Sequence, residues 1–223
     1  MGVSMSVPRS RRSQKERSGQ TRSALLDAAI TLIHEKGLAG TSTSDIAEAA
    51  GVSRGALTYH FKSREELIAS AIEHMLLIAI EELRAFTRAF IAQNGSSDDI
   101  VDFLWELMNR RLFLVTLEFM LEARRNATFL DTVRPVVREW HQALDNIWNQ
   151  LADRYRVEPE FARALMNGTL CLIRGMIAQS IIRVDPAYYA GLLDFWKRDV
   201  RAQLSGSGSG AVVSMGQARK GRA

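Results

Sequence analysis

A chain of 223 residues, 47% of them hydrophobic and 24% charged, has enough apolar material for a sizeable globular core. The single cysteine, Cys171, excludes an internal disulfide framework, and its strongly apolar neighbours predict an inert, buried thiol. No apolar stretch follows the N-terminal arginines, so no signal peptide is expected. The apolar run 164–182 is interrupted by Asn167, Arg174 and Gln179, which favours a buried helix over a membrane span and, with the rest, predicts a cytoplasmic protein.

The formal net charge of +4 is distributed unevenly along the chain. Residues 1–22 carry +5 and residues 205–223 carry +3, which leaves −4 for the middle. A basic arm beside a mildly acidic body indicates a localised contact with a polyanion. We expect residues 1–20 to form a disordered basic arm, either a solvated leader or a segment that follows DNA phosphates or enters the minor groove.

The first predicted helix runs from about Thr21 to Lys36. Its apolar residues recur at helical spacing and form a single stripe, and Gly37 is a natural residue to end it. The stripe offers a platform for shorter helices and consists of Leu25, Ala28, Ala29, Leu32 and Ile33.

Two short helices are predicted between residues 41 and 61, separated by the turn Gly51-Val52-Ser53. Ser42 is a suitable N-cap for the first, with Asp45 three residues later as in a capping box, and Ser53 is a suitable N-cap for the second. Helices of about two turns are marginal alone and must pack against another element. This arrangement describes a helix-turn-helix, whose second helix enters the DNA major groove.

The string GLAGTSTSDIAEAAGVSRGALTYHFKSREEL resembles the N-terminal domain of the TetR family of bacterial transcriptional regulators, and the similarity extends from about Ala24 to Ile68. The resemblance implies an all-α fold. It places a three-helix DNA-binding domain at residues 21–67 and a larger helical ligand-binding and dimerisation domain at residues 68–204. The Gly- and Ser-rich start of residues 205–223 predicts a flexible tail. The resemblance also implies a homodimer that binds double-stranded DNA in the bacterial cytoplasm, on the nucleoid when bound.

The same resemblance suggests which residues contact DNA. Thr41 and Ser42 match a family pair that contacts phosphate, and Arg54 lies at the start of the recognition helix, where it pairs with guanine or binds phosphate. Position 58 is Thr where the family most often has Tyr, a change that weakens backbone contacts. The remaining candidates are Gly55, Thr58, Tyr59, His60 and Lys62.

After Arg64 the sequence predicts long helices separated by a few breaks. One long helix starts at Arg64, the segment 93–97 is a loop with Ser97 as a cap, and a second break is expected at 124–126. Prolines favour the first turn of a helix. We therefore place helix starts near Pro135, Pro159 and Pro186.

The large apolar side chains of this region predict either a packed core or a ligand pocket lined by a few polar groups. Glu118 and Arg174, each within an apolar run, are either ligand anchors or a buried ion pair joining two helices. The apolar candidates for the pocket are Leu104, Met108, Phe119, Trp140, Leu144, Met166 and Leu170.

The last two predicted helices are apolar enough to be core or interface. The resemblance favours a dimer interface built as a four-helix bundle. The candidates for this interface are Leu165, Thr169, Leu172, Met176, Tyr189, Leu192, Leu193, Trp196 and Val200.

An enzyme finds little support in the sequence, which has no Gly-rich phosphate loop, HExxH or CxxC motif and only four scattered histidines. No metal or cofactor is expected. The preferred hypothesis is a homodimeric repressor that a small, largely apolar effector releases from a palindromic operator. The alternative is a DNA-binding dimer that has no small-molecule effector or is controlled by a protein partner.

Overall fold

The computed structural model describes residues 14–206, and every regular element in that range is helical. Residues 1–13 and 207–223, which hold most of the predicted arm and tail, lie outside the described range. Within it, no helix is both long enough and apolar enough to cross a membrane. The predicted all-α class is confirmed, and the helices are α1 (Gln14–Lys36), α2 (Thr43–Ala49), α3 (Arg54–His60), α4 (Arg64–Ala92), α5 (Ser97–Leu107), α6 (Phe113–Arg125), α7 (Ala127–Tyr155), α8 (Pro159–Ser180) and α9 (Pro186–Gly206).

The chain divides into two compact units. The first comprises residues up to Met75 together with Leu117–Val133, and the second comprises Leu76–Thr116 and the residues from Arg134 onward. This division differs from the predicted boundary at residue 67 in two ways: the first unit continues along α4 to Met75, and it also includes the end of α6 and the start of α7.

In the first unit, α1 packs against both α2 and α3. The turn between α2 and α3 requires Gly51, whose φ of +64° lies in the left-handed region. The N–H of Val52 then donates to the carbonyl of Ala47 at 3.0 Å and closes the end of α2. The core beneath these helices contains Leu25, Leu26, Ala29, Ile33, Ile46, Leu57, Phe61, Leu67 and Ile72.

In the second unit, α5, α8 and α9 pack against one another. The α-helical pattern is interrupted after α5 by a π-helical segment, Met108–Leu112, with Met108 and Leu112 buried. Such segments insert one residue into the helical ladder and frequently occur at functional sites. The buried side chains include Trp148, whose indole N–H donates to the side chain of Asn167 at 3.3 Å. This hydrogen bond joins α7 to α8.

Two predicted helix starts were wrong. α1 begins at Gln14 rather than near Thr21, so residues 14–20 of the predicted disordered arm are helical. Pro135 lies inside α7 rather than in its first turn, because Asn126 caps this helix by accepting the N–H of Phe129 at 3.0 Å. The helix starts predicted at Arg64, Pro159 and Pro186 are confirmed, as is the break near residues 124–126, whereas the cap of α5 is Ser96 rather than Ser97.

Candidate functional site

The start of α2 is fixed by the predicted capping box. The Ser42 hydroxyl accepts from the N–H of Asp45 at 3.1 Å, and the Asp45 carboxylate accepts from the N–H of Ser42 at 3.3 Å. These bonds satisfy backbone donors that the helix leaves without a partner. The hydrogen bonds from Ser42 hold the pKa of Asp45 below its ordinary value of 3.8.

This lowered pKa makes the cap sensitive to acid. A carboxyl whose pKa is depressed in the folded state adds stability above its unfolded pKa and loses it as the pH falls through the folded value. At neutral pH, the midpoint temperature of thermal unfolding should therefore be higher for wild type than for Asp45→Asn. This difference should disappear below the folded pKa of Asp45. A difference that stays constant down to strongly acidic pH would contradict this assignment.

The recognition helix α3 buries one side and exposes the other. Its cap, Ser53, accepts from the N–H of Ala56 at 3.2 Å, and Leu57 is buried beneath the helix. On the opposite side Tyr59 is 82% exposed, although a tyrosine ring normally buries most of its area. The other exposed candidates on this helix and just after it are Arg54, Gly55, Thr58 and Lys62.

Arg54 lies across the seam between α2 and α3. Its guanidinium donates to the hydroxyl of Ser44, a residue that the sequence analysis did not select. Both side chains therefore lie on the same exposed edge of the helix-turn-helix. The Thr58 hydroxyl instead faces its own helix and donates to the carbonyls of Arg54 and Gly55 at 3.2 and 3.1 Å.

The last residue of α3, His60, is less exposed than the residues on either side of the helix end that remain candidates for DNA contact. His60 is half-buried, with its ring centroid 5.2 Å from that of Tyr59 and 6.4 Å from that of Phe61. The backbone N–H of Lys62 donates to the Glu66 carboxylate at 2.8 Å, while its side chain is exposed. Lys62 consequently remains a candidate for phosphate contact, and His60 is better placed to orient Tyr59.

The structure corrects the assignment of Thr41. This side chain is only 2% exposed, and its hydroxyl donates to the carbonyl of Gly37 at 2.8 Å. A buried hydroxyl that already has a partner is not free to bind phosphate. Ser42 is exposed and Thr43 is half-buried at the start of α2, which makes these two the better candidate pair.

The predicted pocket residues do not all lie in one unit. Leu104, Met108, Trp140, Leu144, Met166 and Leu170 are buried in the second unit, which also holds Arg174. Glu118 and Phe119 belong to the first unit, where the Phe119 ring packs 6.5 Å from that of Phe129. Glu118 accepts the N–H of Leu38 at 2.9 Å, so its carboxylate has a partner within the first unit.

Arg174 is a half-buried cation on α8. Its Nε is fully buried and has no hydrogen-bond partner among the described residues. Burial lowers the pKa of Arg174 below its usual range, although the nearby Cys171 opposes this shift. An unsatisfied buried donor is uncommon in native proteins, and it is suited to bind an anionic or carbonyl oxygen of a ligand.

Most of the predicted interface residues lie inside the chain's own core. Thr169 accepts from the indole N–H of Trp196 at 3.0 Å, and both residues therefore join α8 to α9 within one chain. Leu172, Leu192 and Trp196 are half-buried. The buried residues, which have almost no surface left to offer a partner, are Leu165, Thr169, Met176, Tyr189, Leu193 and Val200.

A different face of α8 is exposed. Ala164, Gly168, Cys171 and Gly175 follow one another at spacings of four, three and four residues, so they form a single outer stripe. The predicted burial of Cys171 was wrong, because its side chain is exposed. These small residues share one exposed face of α8, and three of them, Ala164, Gly168 and Gly175, were not singled out from the sequence.

Comparisons with known proteins agree with this geometry. Residues 25–71 match the family model "Bacterial regulatory proteins, tetR family". The chain is 26% identical to the transcriptional regulator CymR of Pseudomonas putida over 78% of its own length and 86% of that protein. It is 36% identical to the regulator TtgR of the same species, over 51% of this chain and 49% of TtgR.

Solved structures extend the similarity beyond the helix-turn-helix. The multidrug binding protein EbrR, crystallised with imidazole, superposes with a TM-score of 0.56 at 25% identity, over 86% of this chain and 97% of that one. CymR and TtgR are transcriptional regulators, in agreement with the expectation that the chain is not an enzyme. These similarities support a helix-turn-helix transcriptional regulator of the TetR family.

Proposed function

We propose that the protein is a homodimeric repressor that binds an approximately palindromic operator and is released by a small, largely apolar effector carrying an anionic group. The observation that carries the DNA-binding part is the outer face of α3. Tyr59 is 82% exposed there, so its ring remains open to an outside partner, and Arg54 at the start of the same helix is also exposed. Exposed aromatic and arginine side chains at a recognition helix are suited to base edges and sugars.

In the bound state, Arg54 exchanges its bond with Ser44 for a guanine edge or a phosphate. Ser42, Thr43 and Lys62 supply the flanking phosphate contacts. The motif itself carries little net positive charge, because Asp45 and Glu48 on α2 offset its few cations. Affinity therefore depends strongly on simultaneous binding by two recognition helices, which must be about 34–36 Å apart.

The dimer forms through the outer stripe of α8 and the exposed part of α9. Phe195 on α9 is 58% exposed, and Ile182 just after α8 is 90% exposed. Apolar side chains of this size on the same unit are unfavourable in water. Glycine weakens a helix, yet the single chain gives no packing reason for Gly168, Gly175 or Gly191. Apart from the nearby backbone of its own helix, a Cβ at any of them would meet no atom of the described residues within 4 Å. Close approach of a second copy supplies the reason for glycine at these positions.

The effector binds in the second unit. Arg174 supplies a donor without a partner among the described residues. The buried Met108 is the first residue of the π-helical segment, and such segments are frequent at functional sites. EbrR, a relative of similar length, is a multidrug binding protein and was crystallised with imidazole. The alternative, a DNA-binding dimer without an effector, leaves the buried Nε of Arg174 unexplained.

The DNA-binding proposal is tested by selecting duplexes from a random library on the purified protein and sequencing them. We expect an inverted repeat whose half-sites are separated by about one helical turn or a multiple of it. Selection of no sequence, or of a single half-site without a repeat, would refute the palindromic operator.

On the selected duplex, Arg54→Ala should weaken binding by about 10- to 100-fold and relax the preference at one base pair of each half-site. The matched control is Arg88→Ala, which removes an equally exposed arginine from α4 in the second unit and should leave affinity within about twofold. Fluorescence anisotropy measures both. Equal losses in the two variants would mean that Arg54 contributes only net charge.

A further inference from the structure

The loop between α1 and α2 is held at a single residue from two sides. The N–H of Leu38 donates to Glu118 Oε2 at 2.9 Å, and the carbonyl of Leu38 accepts from Arg64 Nη2 at 2.6 Å. Both bonds are partly buried and involve a charged partner, which makes them stronger than bonds between neutral groups. All three residues belong to the first unit.

The conformation of Gly37 and two further hydrogen bonds hold the rest of the loop in place. Gly37 has a φ of +72°, and a Cβ at that position would lie 3.4 Å from Glu118 Oε2. The Thr41 hydroxyl donates to the carbonyl of Gly37 at 2.8 Å, and Arg64 Nε donates to the carbonyl of Thr41 at 3.3 Å. The loop 37–41 is therefore tied near both of its ends, to Arg64 on α4 and to Glu118 on α6.

This loop ends at Ser42, the cap of α2. The orientation of α2 and of the packed α3 thus depends on where the loop is held. Arg64 is adjacent to the helix-turn-helix in the chain, whereas Glu118 is separated from Leu38 by 80 residues. Glu118 is consequently the distant member of the pair that fixes the loop.

We propose that Glu118 is a positioning residue for DNA binding: its carboxylate on α6 holds the Leu38 N–H and thereby fixes the entry to α2 in the geometry that the operator requires. The proposal rests on the DNA-binding function proposed above. A purely structural role would instead make Glu118 important for the stability of the first unit and irrelevant to operator affinity once the protein is folded.

Three variants separate these roles. Glu118→Leu removes the acceptor, Glu118→Gln keeps an oxygen acceptor without the charge, and Glu73→Leu removes the same charge from an exposed position on α4 in the same unit. The readouts are hydrogen exchange of the Leu38 amide, followed by NMR on protein labelled with ¹⁵N-leucine, thermal unfolding, and affinity for the selected duplex.

We expect Glu118→Leu to accelerate exchange of the Leu38 amide by about 10-fold and to weaken operator binding by a similar factor, with the dimer intact. Glu118→Gln should recover most of both losses, and Glu73→Leu should show neither. Unchanged exchange in Glu118→Leu would overturn the contact. Faster exchange with unchanged affinity, or an affinity loss that Glu118→Gln does not recover, would overturn the positioning role. If wild type selects no duplex, the proposed DNA-binding function fails, while the exchange measurement still decides whether Glu118 holds the loop.

Discussion

Gly175→Arg is expected to convert the protein from a dimer into a monomer and to weaken operator binding by about 100-fold or more, because a single recognition helix loses the advantage of simultaneous binding. Gly175 is an exposed residue in the C-terminal half of α8, and apart from the nearby backbone of its own helix a Cβ there would meet no atom of the described residues within 4 Å. Replacing glycine by arginine within a helix adds about 1 kcal/mol of helix stability. The monomer itself should therefore fold, and the loss should lie in association alone.

The mass in solution, measured by light scattering, reports the oligomeric state directly. The rate at which the Cys171 thiol is labelled reports it a second time. Cys171 lies one turn before Gly175 on the same stripe and is exposed in the single chain. In the dimer it should react slowly with a thiol reagent, and Gly175→Arg should restore fast labelling. The matched control is Ala89→Arg on α4, also at an exposed helical position, which should leave mass, labelling and operator affinity unchanged. A dimeric Gly175→Arg protein would show that a different surface makes the interface.

The local features of this chain were predictable from sequence, because they depend on neighbours within four residues. Ser42 and Asp45 form the predicted capping box, and Gly51 lies in the predicted turn, where it takes the left-handed conformation. The start of α7 at Ala127 was not predicted, because Asn126 caps the helix before Pro135 and overrides the preference of proline for a first turn.

The errors at the candidate sites have a different cause, which is competition between partners that the sequence pattern does not reveal. Thr41 has the sequence context of a phosphate ligand, but the loop turns its hydroxyl to the carbonyl of Gly37. Glu118 lies in an apolar run and has a main-chain N–H as its partner, so the sequence contains no complementary side chain that reveals the contact.

Burial of most of the predicted interface residues within the single chain has a related reason. The most apolar stripe of α8 and α9 is also the one that the chain buries first in its own core, as the bond between Trp196 and Thr169 illustrates. What remains outside is a weaker pattern of small residues, Gly168, Cys171 and Gly175. Hydrophobicity alone selects the core, whereas glycines within a helix that no contact of the described residues explains are the basis for the interface proposed here.

Arg174→Met is expected to stabilise the protein without ligand and to abolish its response to an anionic effector. The buried Nε of Arg174 has no partner among the described residues, and burial of the guanidinium lowers its pKa. Leaving a buried donor unsatisfied costs about 1–3 kcal/mol, and methionine retains most of the apolar stem without the donor. We therefore expect a gain of about 1 kcal/mol in the free energy of unfolding, which is the sign of a site that retains an unfavourable group for binding.

The stability gain alone does not identify the ligand, and for that reason the second measurement uses matched probes. Aromatic and aliphatic carboxylates of increasing size are compared with their carboxamides by thermal shift and by release of the selected duplex. An anion held by Arg174 should stabilise wild type far more than its amide does, and this difference should vanish in Arg174→Met. The control, Arg163→Met, removes an exposed arginine of α8 that pairs with Asp145 at 3.3 Å, so it should bring no gain in stability and leave the acid-over-amide preference intact. If amides act as well as acids on wild type, or if Arg174→Met is destabilised, then Arg174 is a structural residue and the effector is recognised by its apolar surface alone.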